Sequence, residues 1–186
     1  MPLNETVRNW FRGDPRRPVA RRLYAAVIDQ ARQQAFYVVW GVPDTATGRF
    51  DSIALHSFRL MSRLNAAGIE PGLAQAVSDM VVDDLDRNLR EMGTGDLSVG
   101  KKVKKLMQGF FGRLGAYDEA LAGDDAILKA ALQRNLYGSA TATDRQLSAL
   151  ARYVRREAAF LAEQPDDRLN AGQVQFGPPP AQEDGN

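Results

Sequence analysis

The sequence predicts an all-α fold, a compact bundle of six to seven helices followed by a disordered C-terminal tail. Three observations carry that expectation. Apolar residues recur at spacings of three and four along most of the chain, which places them on one face of a helix. Residues that start helices (Pro18, Pro71, Asp124, Thr143) and residues that stop them (Gly93, Gly138) bracket these periodic stretches. No stretch alternates strongly enough to compete as a strand. The run Phe36–Trp40 has β composition but no evident partner strand, and reads as a buried helix end or a packed extended segment.

The chain has 186 residues and no cysteine. That length suits one domain, which buries roughly 70% of its unfolded surface and needs no staples. The missing thiols exclude a disulfide framework, a thiolate zinc site and a cysteine nucleophile. The longest apolar run is too short to span a bilayer, and the first residues lack the apolar stretch of a signal peptide. The expectation is a soluble cytoplasmic protein.

Taken in order, residues 1–17 read as a loosely docked basic arm and 18–163 as the helical domain. Residues 164–186, rich in Pro, Gly, Asp, Gln and Asn, read as the disordered tail. The first helix runs from Pro18 to about Gln34 with Val19, Leu23, Val27 and Ala31 on one stripe. Gly41–Arg49 reads as a loop, and a helix follows over Asp51–Asn65. Its Ile53, Leu60, Met61 and Leu64 cluster on one side, whereas His56, Arg59 and Arg63 fall on the other. Pro71 opens a helix to Met92 with Gly93 as its left-handed cap. Asp96 or Ser98 caps a helix to about Leu114, continued through Tyr117–Leu121. Asp124 opens another to Gly138, and Thr143 with Gln146 forms a capping box for the last.

Net charge is only +1, yet the signs are segregated. Arg8, Arg12, Arg16, Arg17, Arg21 and Arg22 make the N-terminus basic; Asp79–Asp86 is acidic, and Lys101–Lys105 is basic again. Clustered aspartates on a helix can bind magnesium, as in all-helical prenyl-transfer enzymes, and Asp79, Asp83 and Asp86 share a face. Arg90 lies on that face, however, and Asp83–Arg87, Asp86–Arg90 and Arg87–Glu91 are all i,i+4 pairs. Carboxylates neutralised in this way make a poor hard-metal site. His56, the single histidine, has two arginines for neighbours on its helix face and reads as a surface or boundary residue. No serine sits in a nucleophile elbow or P-loop. The chain therefore reads as non-enzymatic, with no cofactor and no metal.

Asp84 and Asn88 fall within the apolar arc of their helix. A carboxylate there needs a cation, such as Arg49 within the chain, or an external partner. Lys101, Lys102, Lys104 and Lys105 lie opposite the stripe Val99, Val103, Leu106, Met107, Phe110 and Leu114. Two readings stand for them. Folding back over Gly93–Leu97 sets Lys104 and Lys105 across from Asp83 and Asp86; alternatively, the lysines and the bare glycines beside them form a docking strip for an anionic surface. Ribosome or RNA binding through the basic N-terminus and the strip is the main rival to protein docking. No recognition-helix pattern for sequence-specific DNA stands out.

Three stretches carry a resemblance: VPDTATGRFDSIALH (Val42–His56), DLDRNLREMGTGDLSVGKKVKKL (Asp84–Leu106) and FFGRLGAYDEAL (Phe110–Leu121). Together they resemble the ubiquinol–cytochrome c chaperone family, here in a bacterial member, over about residues 20–160. The resemblance implies an all-helical, non-enzymatic factor for assembly of the cytochrome bc1 complex (respiratory complex III). Mitochondrial members bind newly made cytochrome b, act with a small partner protein and associate with the ribosome. The implied partner is thus cytochrome b or another bc1 subunit, with the ribosome and an acidic membrane surface as further contacts, at a cytoplasmic or peripheral membrane location. The motif positions are Asp44, Thr45, Gly48, Arg49 and Phe50, then Asp86, Arg87, Leu89, Arg90, Glu91, Gly93, Gly95 and Asp96, then Gly100, Lys101, Lys104, Lys105, Gly112, Arg113 and Tyr117. The expected partner-binding set is Asp44, Arg49, Phe50, Asp84, Arg87, Arg90, Glu91, Lys101, Lys102, Lys104, Lys105 and Arg113. Adding magnesium to the protein is expected to give neither heat in calorimetry nor a change in Tm; a saturable heat would revive the prenyl-transfer reading.

Overall fold

The structure, a computed structural model, describes residues 14–66 and 68–181, with the side chain of Leu97 left aside. The residues described are helical or irregular, with no strand among them. Helix α1 spans Arg17–Ala31, and a single turn, α2, spans Gln34–Val38. The longer helices α3 (Ala46–Leu64), α4 (Leu73–Glu91) and α5 (Asp96–Ala122) follow. Then come α6 (Asp125–Leu132) with a π turn at Gln133–Tyr137, α7 (Asp144–Ala162) and the short α8 (Asp166–Asn170). Six of these have eight or more residues, in line with the expected bundle.

Helix α3 lies at the centre and touches α1, α4, α5 and α7. It separates two apolar clusters. One joins Leu23 and Val27 of α1, Leu60 of α3, Leu73 and Val77 of α4, and Phe110 of α5. The other joins Phe36 and Trp40 to Phe58, Tyr117, Leu128, Leu132 and Leu150. Burying side chains of this size contributes about 1.5–3 kcal/mol each.

Local chemistry sets the helix ends. The Thr45 side chain accepts a hydrogen bond from Gly48 N (3.1 Å), so α3 starts at Ala46, earlier than the expected Asp51. Arg49 and Phe50 therefore sit on the helix and not in a loop. A Cβ at position 48 would collide with the Pro43 carbonyl, which ties that glycine to the tight entry into α3. Gly93 adopts φ +78° after α4. The capping box of α7 forms as its sequence predicts: Gln146 N donates to Thr143 Oγ1 (3.3 Å) and Thr143 N to Gln146 Oε1 (2.8 Å).

The expected disordered tail requires correction over residues 164–181. Arg63 pairs with Asp166, Leu169 is fully buried in the first cluster, and residues 171–181 run along the bundle surface as an extended strap. Its Val174 and Phe176 pack on that same cluster. The low-complexity composition hid three apolar anchors and a set of backbone hydrogen bonds supplied together by α1, Trp40, α7 and Gln164. Residues 1–13, most of the expected basic arm, and residues 182–186 lie outside the described residues.

Thr143→Ala is expected to cost about 1 kcal/mol through loss of the cap. Leu60→Ala, at a fully buried centre of α3, is expected to cost about 2–5 kcal/mol. Urea denaturation midpoints at unchanged slope measure both.

Candidate functional site

The α4–α5 hairpin and the start of α3 hold the charged residues of the expected partner-binding set, except Asp44, which lies just before α3. Their roles divide sharply according to what each one touches.

Asp44 and Arg49 are exposed and pair with each other at 2.6 Å. That hydrogen bond holds the Asp44 carboxyl below, and the Arg49 guanidinium above, their ordinary ranges. Arg49 is thus committed to Asp44 and does not reach Asp84. The expected arginine partner of Asp84 is replaced by Tyr24, whose hydroxyl donates to Asp84 Oδ2 at 3.1 Å. Burial, with the Asp84 charge second, drives the Tyr24 phenol upward, so the hydroxyl stays protonated and able to donate. Asp84 is only half buried and Asn88 is exposed, its side chain turned back to the Asp84 carbonyl (2.8 Å). The apolar arc of α4 is narrower than the helical wheel suggested.

The acidic face of α4 is neutralised, though with partners different from those expected. Asp83 accepts from Arg17 of α1 at 2.6 Å in place of Arg87. Arg90 bonds Asp86 (2.6 Å) and also reaches Asp96 across the Gly93–Gly95 turn. No group of three or more potential metal-ligating side chains occurs among the described residues.

The folded-back pairing of Lys104 and Lys105 with Asp83 and Asp86 does not form, because those aspartates are already held by arginines. Lys102 donates to Thr94 Oγ1 (3.2 Å). Lys101, Lys104 and Lys105 are exposed and have no partner among the described residues; the same is true of Arg87 and Glu91. Since α5 begins at Asp96, the lysines lie past the first turn, where the macrodipole penalty has largely decayed.

Arg113 and Phe50 face inward. Arg113 Nε is 2.8 Å from Oδ1 of Asp51, whose side chain is buried, and its guanidinium lies 5.8 Å from the centre of the Phe50 ring. The two charged atoms are close but out of line for a hydrogen bond, so the contact is an ion pair. Burial pushes the Asp51 carboxyl up to about 6, against the opposing pull of Arg113. Phe50 is half buried, with its ring 6.2 Å from Phe110. The motif residues Phe50 and Arg113 thus lock α5 to α3.

His56 is buried, not at the surface as expected. Its Nδ1 faces the Ser52 carbonyl at 2.8 Å, which requires the proton there; Nε2 then accepts from the Tyr153 hydroxyl at 3.0 Å. Tyr153 in turn accepts from Gln30 Nε2 (2.8 Å). Burial depresses the His56 pKa to about 4, so the ring is neutral and its roles are structural. The sequence contained one hint: His56 lies within one turn of Ser52 and Ser57, small polar residues suited to a packed interior. Its hydroxyl partner, Tyr153 on α7, lies 97 residues after it.

What remains outward on the hairpin is a strip of lysines flanked by two exposed apolar side chains, Met92 (67% exposed) and Phe111 (48%). Phe111 follows Lys104 by two helical turns on the same side. Gly95, Gly100, Gly112 and Gly115 have open space where a Cβ would stand. The described residues thus form an all-helical bundle that displays cations and apolar groups together on one hairpin. The comparisons with known proteins specify which kind. The ubiquinol–cytochrome C chaperone profile matches residues 39–176, and the chain belongs to that family.

A Xenopus laevis protein named ubiquinol–cytochrome-c reductase complex assembly factor 1 is 26% identical over 161 residues, covering 86% of this chain and 80% of the relative. The mitochondrial protein CBP3 of Saccharomyces cerevisiae is 28% identical over 150 residues, covering 77% of this chain and 44% of the relative. This chain therefore spans less than half of the yeast protein's length, and it covers 55% of the Mus musculus assembly factor 1. A crystal structure of the Cbp3 homolog from Brucella abortus superposes with a TM-score of 0.76 at 36% identity, covering 87% of this chain and 90% of that one. The family is one of chaperones and assembly factors, not enzymes. No helix among the described residues is long and apolar enough to cross a membrane.

His56 and Asp51 respond to pH with opposite signs. A base whose pKa is depressed on folding, as for His56, contributes stability that is complete above about 6.5 and is lost as pH falls toward about 4. The raised Asp51 makes its ionised form costly at neutral pH, and that cost disappears as pH falls through about 6. The two effects nearly cancel between pH 7 and 5. Asp51→Asn removes one of them, so this variant is expected to lose about 1 kcal/mol more of its folding stability than the parent over that interval. Denaturant titrations of both proteins at the two pH values measure the difference.

Proposed function

We propose that this chain is an assembly chaperone of the ubiquinol–cytochrome c reductase complex, which holds a newly made or partly assembled membrane subunit, cytochrome b foremost, against the α4–α5 hairpin. The observation that carries this reading is the set of exposed, unpartnered lysines, Lys101, Lys104 and Lys105, beside the exposed Phe111 and Met92. A nascent membrane subunit presents apolar helices together with charged loops, and a mixed basic and apolar strip matches both.

The glycines support the same reading. A glycine inside a helix costs about 0.8–1 kcal/mol relative to alanine. Gly100, Gly112 and Gly115 incur that cost with empty space around them, so nothing within the bundle requires them. A bare backbone lets another chain approach closely. Arg87, Glu91 and Lys102 extend the surface, and the Asp44–Arg49 pair stands at the start of α3. Arg113, Phe50 and Asp84 support the surface from within.

The ribosome or RNA alternative loses part of its basis. Of the basic N-terminus, Arg16 bonds Asp14 and the Pro71 carbonyl, Arg17 bonds Asp83, and Arg22 bonds the Ala171 carbonyl. Cations committed in this way form no continuous track for phosphates.

Deleting the gene is expected to lower cytochrome b haem and quinol–cytochrome c activity in the host membrane. Restoring the chain with Lys101, Lys104 and Lys105 all changed to Glu is expected to leave the defect in place, while Tm stays within a few degrees of the parent because the sites are exposed. Normal cytochrome b haem in the deletion strain would refute the function. Full rescue by the triple variant would refute the strip. Crosslinking from positions 101 and 105 in the native membrane fraction identifies the client.

A further inference from the structure

The strap at residues 171–181 is held in a way unlike the rest of the bundle. Core elements here join through apolar faces, whereas the strap is gripped mainly by its backbone. The Gln164 side chain closes on both main-chain groups of Gln175, accepting from its N–H (3.0 Å) and donating to its carbonyl (2.7 Å). Gly177 is gripped in the same fashion: its N–H donates to Glu157 Oε2 (2.7 Å) and its carbonyl accepts from Gln30 Nε2 (2.8 Å). Arg156 donates to the Pro178 carbonyl, and Trp40 Nε1 donates to the Pro180 carbonyl at 3.0 Å. Side chains from α1, α7, Trp40 and Gln164 thus read four main-chain positions of an extended segment.

Between these grips a single aromatic side chain is inserted. Phe176 sits edge-on to His56 at 6.1 Å and is only half buried. Its seat is lined by His56, Arg59, Tyr153, Glu157 and Leu161, and the cleft of about 10 Å³ beside it holds at most about one water. Position 177 admits no side chain as it stands, because a Cβ would strike Glu157 Oε1. Pro178, Pro179 and Pro180 follow, a run that favours polyproline II and loses little entropy on docking.

The groove is also lined for exchange. Among the described residues, Gln30, His56 and Glu157 are buried polar groups, and all three lie along the strap's path. A permanently covered seam gains most from apolar lining, whereas carboxylate, amide and imidazole groups rehydrate readily when a cover lifts. Main-chain hydrogen bonds at several positions, one aromatic socket and a proline run are how folded domains capture extended peptides.

We propose that this groove is a receptor site for an extended peptide segment of aromatic–glycine–proline sequence on a partner protein, and that residues 174–180 are its built-in occupant, displaced when the partner binds. The site is lined by α1, α3 and α7 with Trp40 and Gln164, apart from the α4–α5 hairpin, so it gives the chain a second contact that is independent of the docking strip. The strap then acts as a competitor covalently tethered to its own site, which sets a threshold for the incoming segment.

Two measurements on the full chain test this. The first is hydrogen exchange of the unmodified protein. The amides of Val174, Gln175, Phe176 and Gly177 are expected to exchange at least 100-fold faster than the slowest amides of α3, by an opening that leaves the bundle folded. Exchange only at the rate of global unfolding would overturn the proposal. The second uses a fluorescently labelled peptide of residues 173–181 and the variant Phe176→Ala with Gly177→Ala, which weakens the tethered strap and leaves the groove intact. The variant is expected to bind the peptide at least tenfold more tightly than the parent, and a peptide with Ala in place of its Phe is expected to lose that binding. A variant that unfolds cooperatively like the parent yet binds the peptide no better would overturn it. Binding that is indifferent to the peptide's Phe would do so as well.

Discussion

The structure depends on the need to satisfy the polar groups of α3, a helix enclosed by its neighbours. Eleven of its 19 residues are buried, among them Asp51, Ser52, His56 and Ser57, so one face cannot be left to solvent. A buried polar group without a partner costs about 1–3 kcal/mol. Three of the four are met by different elements: Asp51 by its ion pair with Arg113 of α5, the Ser52 hydroxyl by the Ala31 carbonyl at the end of α1, and His56 by Tyr153 of α7. Hydrophobic burial gathers the helices, and these directional contacts fix their rotation and register about α3.

This constraint also decides which charges remain available for partners. Arg113 is drawn inward because Asp51 would otherwise be a buried anion without a counter-charge, and Phe50 follows it into contact. Arg17 and Arg90 take up Asp83 and Asp86 of α4, the two carboxylates onto which the lysines of α5 were expected to fold back. The outward lysine strip is the residue of a charge balance settled elsewhere in the molecule. The strap belongs to the same network, since Gln30 donates one amide hydrogen to Tyr153 and the other to Gly177.

Much of the architecture was legible in the chain itself. The helices announce themselves by apolar spacing, and Gly93, Gly138 and the Thr143–Gln146 box mark their ends by local chemistry. The outward placement of Lys101, Lys102, Lys104 and Lys105 was readable too, because lysines opposite an apolar stripe have to face outward. Misjudged positions share one cause. Asp84, His56 and the strap depend on partners at least 60 residues away, namely Tyr24, Tyr153 and the pair Gln30–Trp40. A helical wheel contains no information at that range. For His56, the arginines on its own helix were visible in sequence, whereas the tyrosine and phenylalanines that enclose it were not.

The sequence alone determined that the chain is helical, where most helices begin and end, and that its charge is concentrated on one hairpin, since those properties follow from periodicity and capping within a few residues. Only the tertiary structure decided which charges are spent internally. An ion pair or a buried hydrogen bond forms according to which groups the packed helices bring within about 3 Å of each other. The same packing converts a proline- and glycine-rich end, disordered by composition, into a strap. An extended segment has no internal hydrogen bonds, and residues 171–181 become ordered only because Gln30, Trp40, Arg156, Glu157 and Gln164 stand where its backbone groups need them.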